Sequence, residues 1–167
     1  PLAEDGFGER LCASAIRSVS ALSQRRCVYW TVGHGEYVFD AYDAFGMSDI
    51  ARELFGEGYR NERIDLASAQ QIPGDCALIL IAGAKDDFSR VEIGRLEAYL
   101  RGGGRLLALV GSAASGGIVS LLPSWGMRPS DARVKSAKTL SGSDVIVSDF
   151  SDHPIAVPLR GSRIVLE

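Results

Sequence analysis

Seven consecutive apolar residues, Cys76-Ala77-Leu78-Ile79-Leu80-Ile81-Ala82, constrain this chain more than any other feature. The side chains of a strand point alternately to its two faces, so an unbroken apolar run predicts a strand covered on both sides. Cys27 to Val32 and Arg105 to Val110 repeat the pattern in shorter form. A further strand is expected at Tyr59 to Leu66, alternating in its outer half.

Helical periods separate these runs. From Gly8 to Gln24 the residues Leu11, Ala15, Ile16, Val19 and Leu22 trace one helical face. Ser48 is the expected N-cap of a second helix, with Ile50, Ala51, Leu54 and Phe55 as its buried stripe and Gly56 and Gly58 as its stop. Ser89 and Glu92 form a capping box for a third helix, which carries Val91, Leu96, Tyr99 and Leu100 and stops at Gly102-Gly103-Gly104. The small-residue loop Gly111 to Gly117 feeds a short helix at Ile118 to Leu122, closed by Pro123. Tyr37 to Phe45 has no clear period and reads as loop or irregular helix.

Strand followed by helix followed by strand requires the helix to carry the chain back across the sheet, which makes the strands parallel. The expected fold class is therefore α/β, a three-layer sandwich with a mostly parallel sheet, flavodoxin-like or Rossmann-like. Beyond Trp125 the pattern weakens into short alternating pieces, Val145 to Val147 and Ile164 to Leu166, which read as edge strands or an appended hairpin. With no internal repeat, low-complexity tract or linker, residues 1–167 are expected to form a single α/β domain.

Composition narrows the function classes. A formal net charge of −3 gives no basic field to hold a phosphate backbone, and no Lys/Arg cluster is interleaved with aromatics, so nucleic acid is not an expected partner. No apolar run approaches the roughly 18–20 residues that cross a bilayer, and no signal peptide is recognisable. The chain as given is expected to be soluble, yet it starts at Pro1 without a Met and reads as a piece of something longer. Cys12, Cys27 and Cys76 are odd in number, far apart and without a CxxC pair, so they read as small apolar residues rather than a disulfide or metal framework.

The candidate ligand site is the turn Gly33-His34-Gly35-Glu36. It falls at the carboxyl end of a strand, where open α/β sheets bind ligands when the strand order reverses. Its glycines permit unusual dihedrals, His34 can change charge near neutral pH and Glu36 supplies a carboxylate. With Asp40, Asp43 and the distant His153, it suggests a site for a small polar ligand or a cation. The plainer reading is that His34 and Glu36 satisfy backbone groups in a tight turn.

Other chemistry is poorly served. A dinucleotide fingerprint would need a third glycine where Val38 stands, and no Gly-Lys-Ser/Thr follows to make a P-loop. Gly111 to Gly117 offers backbone amides for an anion, though a flexible turn is the simpler reading. A hydrolase would need a nucleophile on a sharp strand-to-helix turn. Ser112 is the best serine for that role, with His34 or His153 as its base, but no paired acid and no GxSxG accompany it. Asp86-Asp87 are expected to favour the start of the helix after Ser89. No catalytic set, metal centre or cofactor is expected.

Val28-Tyr29-Trp30-Thr31-Val32-Gly33-His34-Gly35-Glu36 resembles a segment of the auxiliary components of uncharacterised ABC-type transport systems, a group that includes a gliding-motility auxiliary protein. Further pieces agree in order: Gly58-Tyr59, Ile64-Asp65-Leu66, Ile72-Pro73, Ile81-Ala82-Gly83-Ala84, Tyr99-Leu100, Trp125-Gly126-Met127 and Ser151-Asp152-His153-Pro154-Ile155. The resemblance implies a fold similar to class I glutamine amidotransferase-like domains. It also implies a non-catalytic interaction or ligand-sensing role on the extracytoplasmic (periplasmic) side of a membrane-anchored protein. Transporter subunits or other membrane proteins would be the partners. Relatives usually carry transmembrane segments that this chain lacks, and the resemblance brings no catalytic residues.

Overall fold

The computed structural model describes residues 27–41, 47–110, 117–128, 145–154 and 156–166. The helix expected at Gly8 to Gln24 lies outside them, as do Asp43 and Ser112. Chain contacts divide the molecule into two compact units, residues 1–129 and 130–167, and each is described by itself.

In the first unit, β1 (Cys27–Val32), β2 (Arg60–Asp65), β3 (Cys76–Ala82) and β4 (Leu106–Leu109) form a parallel sheet in the order β2-β1-β3-β4. The apolar runs become its strands, as their composition requires. Val28, Trp30, Leu80 and Ala82 face one side, where they meet Ala51 and Leu54 of α1 (Ser48–Gly56). Ile79, Ile81, Ile64 and Leu66 pack on the other, against Leu96 of α2 (Arg90–Arg101) and Ile118 and Leu121 of α3 (Gly117–Leu121). Helices thus cover both faces of a mostly parallel sheet, the α/β layering expected. A 3-10 turn at Leu122–Trp125 follows α3 and holds Pro123. The second unit contains β5 (Val145–Val147) and β6 (Ile164–Leu166), an antiparallel pair separate from the main sheet.

Several local expectations are corrected. Ser48 is not the N-cap; it is the first residue of α1, and the capping position is Met47, which has no side-chain cap bond. The Met47 carbonyl already accepts the amide of Ala51 at 3.0 Å, so the helical bonding begins one residue early. Ile50 and Phe55 do not form a buried stripe, being 41% and 66% exposed. Among the described residues the sheet touches only the Ala51 and Leu54 side of so short a helix. On α2 the residue at the third position, Glu92, is buried, while Val91 is exposed. The run Arg105 to Val110 is not covered on both faces: Leu106 and Ala108 pack inward, but Leu107, Leu109 and Val110 are exposed. Among the described residues β4 is an edge, and one of its faces has no helix over it.

The core assignment makes a direct prediction. Leu96→Ala should lower unfolding free energy by about 2–5 kcal/mol, because its side chain is fully buried. Phe55→Ser, on an open flank, should change it by less than about 0.5 kcal/mol. Urea denaturation of the two variants checks the pair, and equal losses would contradict the layering.

Candidate functional site

The chain runs outward from β1 to β2, then returns to place β3 on the other side of β1, so the strand order reverses between β1 and β3. In open α/β sheets the carboxyl ends of such a pair flank the usual ligand crevice. Gly33 to Glu36 leaves β1 at this point, and Gly83 to Lys85 leaves β3 beside it.

Here the crevice is bridged by the protein's own backbone. The His34 carbonyl accepts the amides of Lys85 at 2.7 Å and Asp86 at 3.1 Å. The Tyr37 amide donates to the Ala82 carbonyl at 2.8 Å, and the Gly83 amide to the Leu109 carbonyl at 2.8 Å. Gly33 and Gly35 have φ of 110° and 73°, a region that disfavours side chains, and this lets the chain double back with His34 pointing inward. Gly83 is needed for a different reason: a Cβ there would lie 2.7 Å from the Tyr37 ring.

His34 is only 8% exposed. Its ring stacks on Phe88, with centroids 4.0 Å apart and planes 19° apart. Two carboxylates flank it, Glu36 Oε1 at 3.6 Å from Nδ1 and Glu92 Oε1 at 3.3 Å from Nε2. Both carboxylates are buried, and each uses its second oxygen on nearby backbone. Glu36 Oε2 accepts the His34 amide at 2.7 Å, and Glu92 Oε2 accepts the Ser89 amide at 2.7 Å. The Glu92 amide in turn donates to Ser89 Oγ at 3.4 Å, which completes the capping box.

The inner atoms are less well served. Thr31 Oγ1, His34 Nδ1, Glu36 Oε1 and Glu92 Oε1 are buried without an aligned hydrogen bond. A neutral imidazole donates through one nitrogen only, so a single ring cannot serve both carboxylates unless it carries both protons. Burial acts to raise the Glu92 carboxyl, but the Ser89 hydroxyl and amide together with the His34 ring outweigh it and hold that carboxyl below its ordinary range. Asp65, at the end of β2, is held low by the Ser68 hydroxyl and the Ala67 amide, with a smaller contribution from His34.

The remaining sequence candidates go elsewhere. Asp40 pairs with Arg63 at 2.6 Å on the surface, and that guanidinium lowers its carboxyl. Asp86 and Asp87 are exposed in the loop before Ser89. His153 lies in the second unit, where its carbonyl accepts the amides of Ala156 at 2.8 Å and Val157 at 3.1 Å. No group of three or more His, Cys, Asp or Glu among the described residues is arranged to hold a metal ion. Sequence reasoning found His34 and Glu36 but missed Phe88 and the second role of Glu92, whose capping-box spacing explains only one of its two oxygens.

The model of the ABC-type uncharacterised transport system family matches residues 25–139, which include the whole parallel sheet and the His34 cluster. The chain belongs to that family. That family is associated with an uncharacterised ABC-type transport system. A solved structure titled "mmIFT52 N-terminal domain" has a similar fold, with a TM-score of 0.60 at 17% identity over 84% of this chain. The match spans 64% of that structure's length. No curated protein matches the chain.

The direction of the Glu92 shift fixes a pH response. A carboxyl held low in the fold stabilises it above the unfolded value, about 4.3, and that stability is lost as pH falls through the folded value. Glu92→Gln should therefore destabilise the chain at pH 7 by about 1–3 kcal/mol and weaken the acid dependence below pH 5. Thermal melts from pH 3 to pH 7 check this; parallel profiles for the two proteins would refute it.

Proposed function

We propose that this domain is a non-catalytic, extracytoplasmic interaction module, through which an ABC-transport auxiliary protein engages a transporter subunit or another membrane protein. The observation that carries the reading is the closed crevice between β1 and β3. The position at which an α/β enzyme would admit its substrate is bridged by the bonds of the His34 carbonyl, and the polar side chains of the turn point inward.

The thiols support the same reading. Burial pushes Cys27 up to about 11, and it likewise raises Cys76, where the nearby Tyr99 hydroxyl opposes it. Both therefore remain thiols at neutral pH, and a thiol is a poor nucleophile. The alternative, a hydrolase or amidotransferase-like enzyme using Ser112 with His34 or His153, draws no specific support. His34 already stacks on Phe88 and faces Glu36 and Glu92, and Ser112 lies outside the described residues.

The extracytoplasmic setting and the amidotransferase-like kinship rest on the motif resemblance and on family membership. No helix among the described residues is long and apolar enough to cross a membrane.

Affinity capture from native membranes tests the reading. The chain should recover a transporter subunit, identified by mass spectrometry, and a serine-directed probe should label neither the wild type nor Ser112→Ala. Recovery of no transport component, or labelling that Ser112→Ala abolishes, would overturn it.

A further inference from the structure

We propose that Cys27 and Cys76 are joined by a disulfide in the native protein, a proposal that rests on the extracytoplasmic setting above, where thiols are oxidised rather than kept reduced. Spacing along the chain leaves the three cysteines without a pairing, and the sheet selects one. Cys27 opens β1, Cys76 opens β3, and the two are register partners on adjacent parallel strands. Neighbouring strands run about 4.8 Å apart, within the roughly 4.4–6.8 Å between α-carbons that a disulfide spans. The Cys27 amide donates to the Asp75 carbonyl at 3.1 Å, which fixes this end of the strand pair.

Both side chains belong to the same face. Cys76 packs with Tyr99 of α2 against the cluster that holds Ile79, Ile81 and Leu96, and its thiol donates to the Tyr99 hydroxyl at 3.4 Å. Tyr29 packs on that cluster too, and Cys27, two residues earlier on the strand, shares its side. Tyr29 interacts with both thiols, through its hydroxyl with Cys27 and through its backbone with Cys76. In a regular parallel pair the Cβ bonds run side by side, wider apart than the roughly 3.5–4.5 Å that two bridged Cβ atoms need. Here the register shifts between Cys27 and Val28, because Cys76 and Ala77 together oppose Cys27. Such a bulge bends the strand and re-aims a side chain, and it falls where the two cysteines meet.

Both are free thiols in the structure, Cys27 buried and Cys76 half-buried. The oxidant is a disulfide reagent of the compartment, RSSR. The Cys76 thiolate attacks one of its sulfurs and expels RS⁻; the Cys27 thiolate then attacks the Cys76 sulfur of the mixed disulfide and expels the second RS⁻. The two protons given up by the cysteines end on two RSH, so the protein loses two electrons and the reagent gains them. Burial raises both thiols once the chain has folded, which confines the exchange to folding and afterwards shields the bond from reductants. The bond encloses α1 and β2 in a covalent loop. It fastens the amino ends of β1 and β3, while the His34 carbonyl joins the segments that leave their carboxyl ends.

Two experiments test the bond. In the first, the reduced, denatured chain is refolded in a mixture of reduced and oxidised glutathione, and its remaining thiols are alkylated and mapped by mass spectrometry. The peptides holding Cys27 and Cys76 should be linked, with Cys12 alkylated. The oxidised protein should melt roughly 10 °C above its reduced form, a difference that Cys12→Ser retains and that Cys27→Ser and Cys76→Ser each abolish. A link through Cys12, no link in the folded protein, or a redox difference that survives Cys27→Ser would overturn the pairing.

In the second, the protein is isolated from native membranes with its thiols alkylated at lysis. Cys27 and Cys76 should be linked before any reductant is added. If they pair in glutathione but are alkylated here, the extracytoplasmic setting fails and the native bond falls with it; if they do not pair in glutathione, the proposal falls and the setting is untouched.

Discussion

Two neighbouring strands with no exposed face, Cys27–Val32 and Cys76–Ala82, determine the arrangement of the rest of the first unit. Val28, Trp30, Ile79, Leu80, Ile81 and Ala82 are each at most 1% exposed, so cover is required on both sides at once. Covering layers can come only from the segments that connect the strands, which is why the connections are helical and the strands parallel. The polar ends of the strands are then confined to the rims, and the carboxyl rim of the central pair is where His34 sits.

Among the described residues, the two edges of the sheet differ. β2 carries Arg60, Glu62, Arg63 and Asp65 and buries only Ile64, a charged border that discourages pairing with another chain. Two of its arginines are tied down, Arg60 to Asp75 at 2.7 Å and Arg63 to Asp40 at 2.6 Å. These ties close the edge against the loops around it. β4 has no such charges, and its apolar side chains alternate between packing on α2 and α3 and facing outward.

What the sequence made legible follows from the range of the interactions involved. Cys76 to Ala82 declared its strand because full burial leaves no position for a polar residue, and Ser89 declared its cap because a capping box spans only four residues. Short-range rules also placed the GHGE turn at the correct strand end. Ile50, Phe55 and Val91 misled because an apolar side chain records a preference for burial, not the presence of a neighbour to provide it. On a helix of nine residues the sheet reaches one side only. Glu92 is the converse: a carboxylate at a helix start normally faces water, and its burial is set by His34, 58 positions earlier in the chain, through a contact that no local pattern encodes.

That long-range contact also explains how a costly arrangement persists. Burying two carboxylates and an imidazole is unfavourable unless each is partnered, and deleting one member leaves the others stranded. In this cluster each carboxylate is divided, one oxygen fixed to its own local backbone and the other turned to the shared ring. The Glu36 half secures the turn, the Glu92 half secures the start of α2, and His34 joins the two while its carbonyl holds the loop that leaves β3. An apolar residue at position 34 could fill the volume but would leave two buried carboxylates facing each other. The cluster therefore acts as a unit that specifies one conformation of the rim.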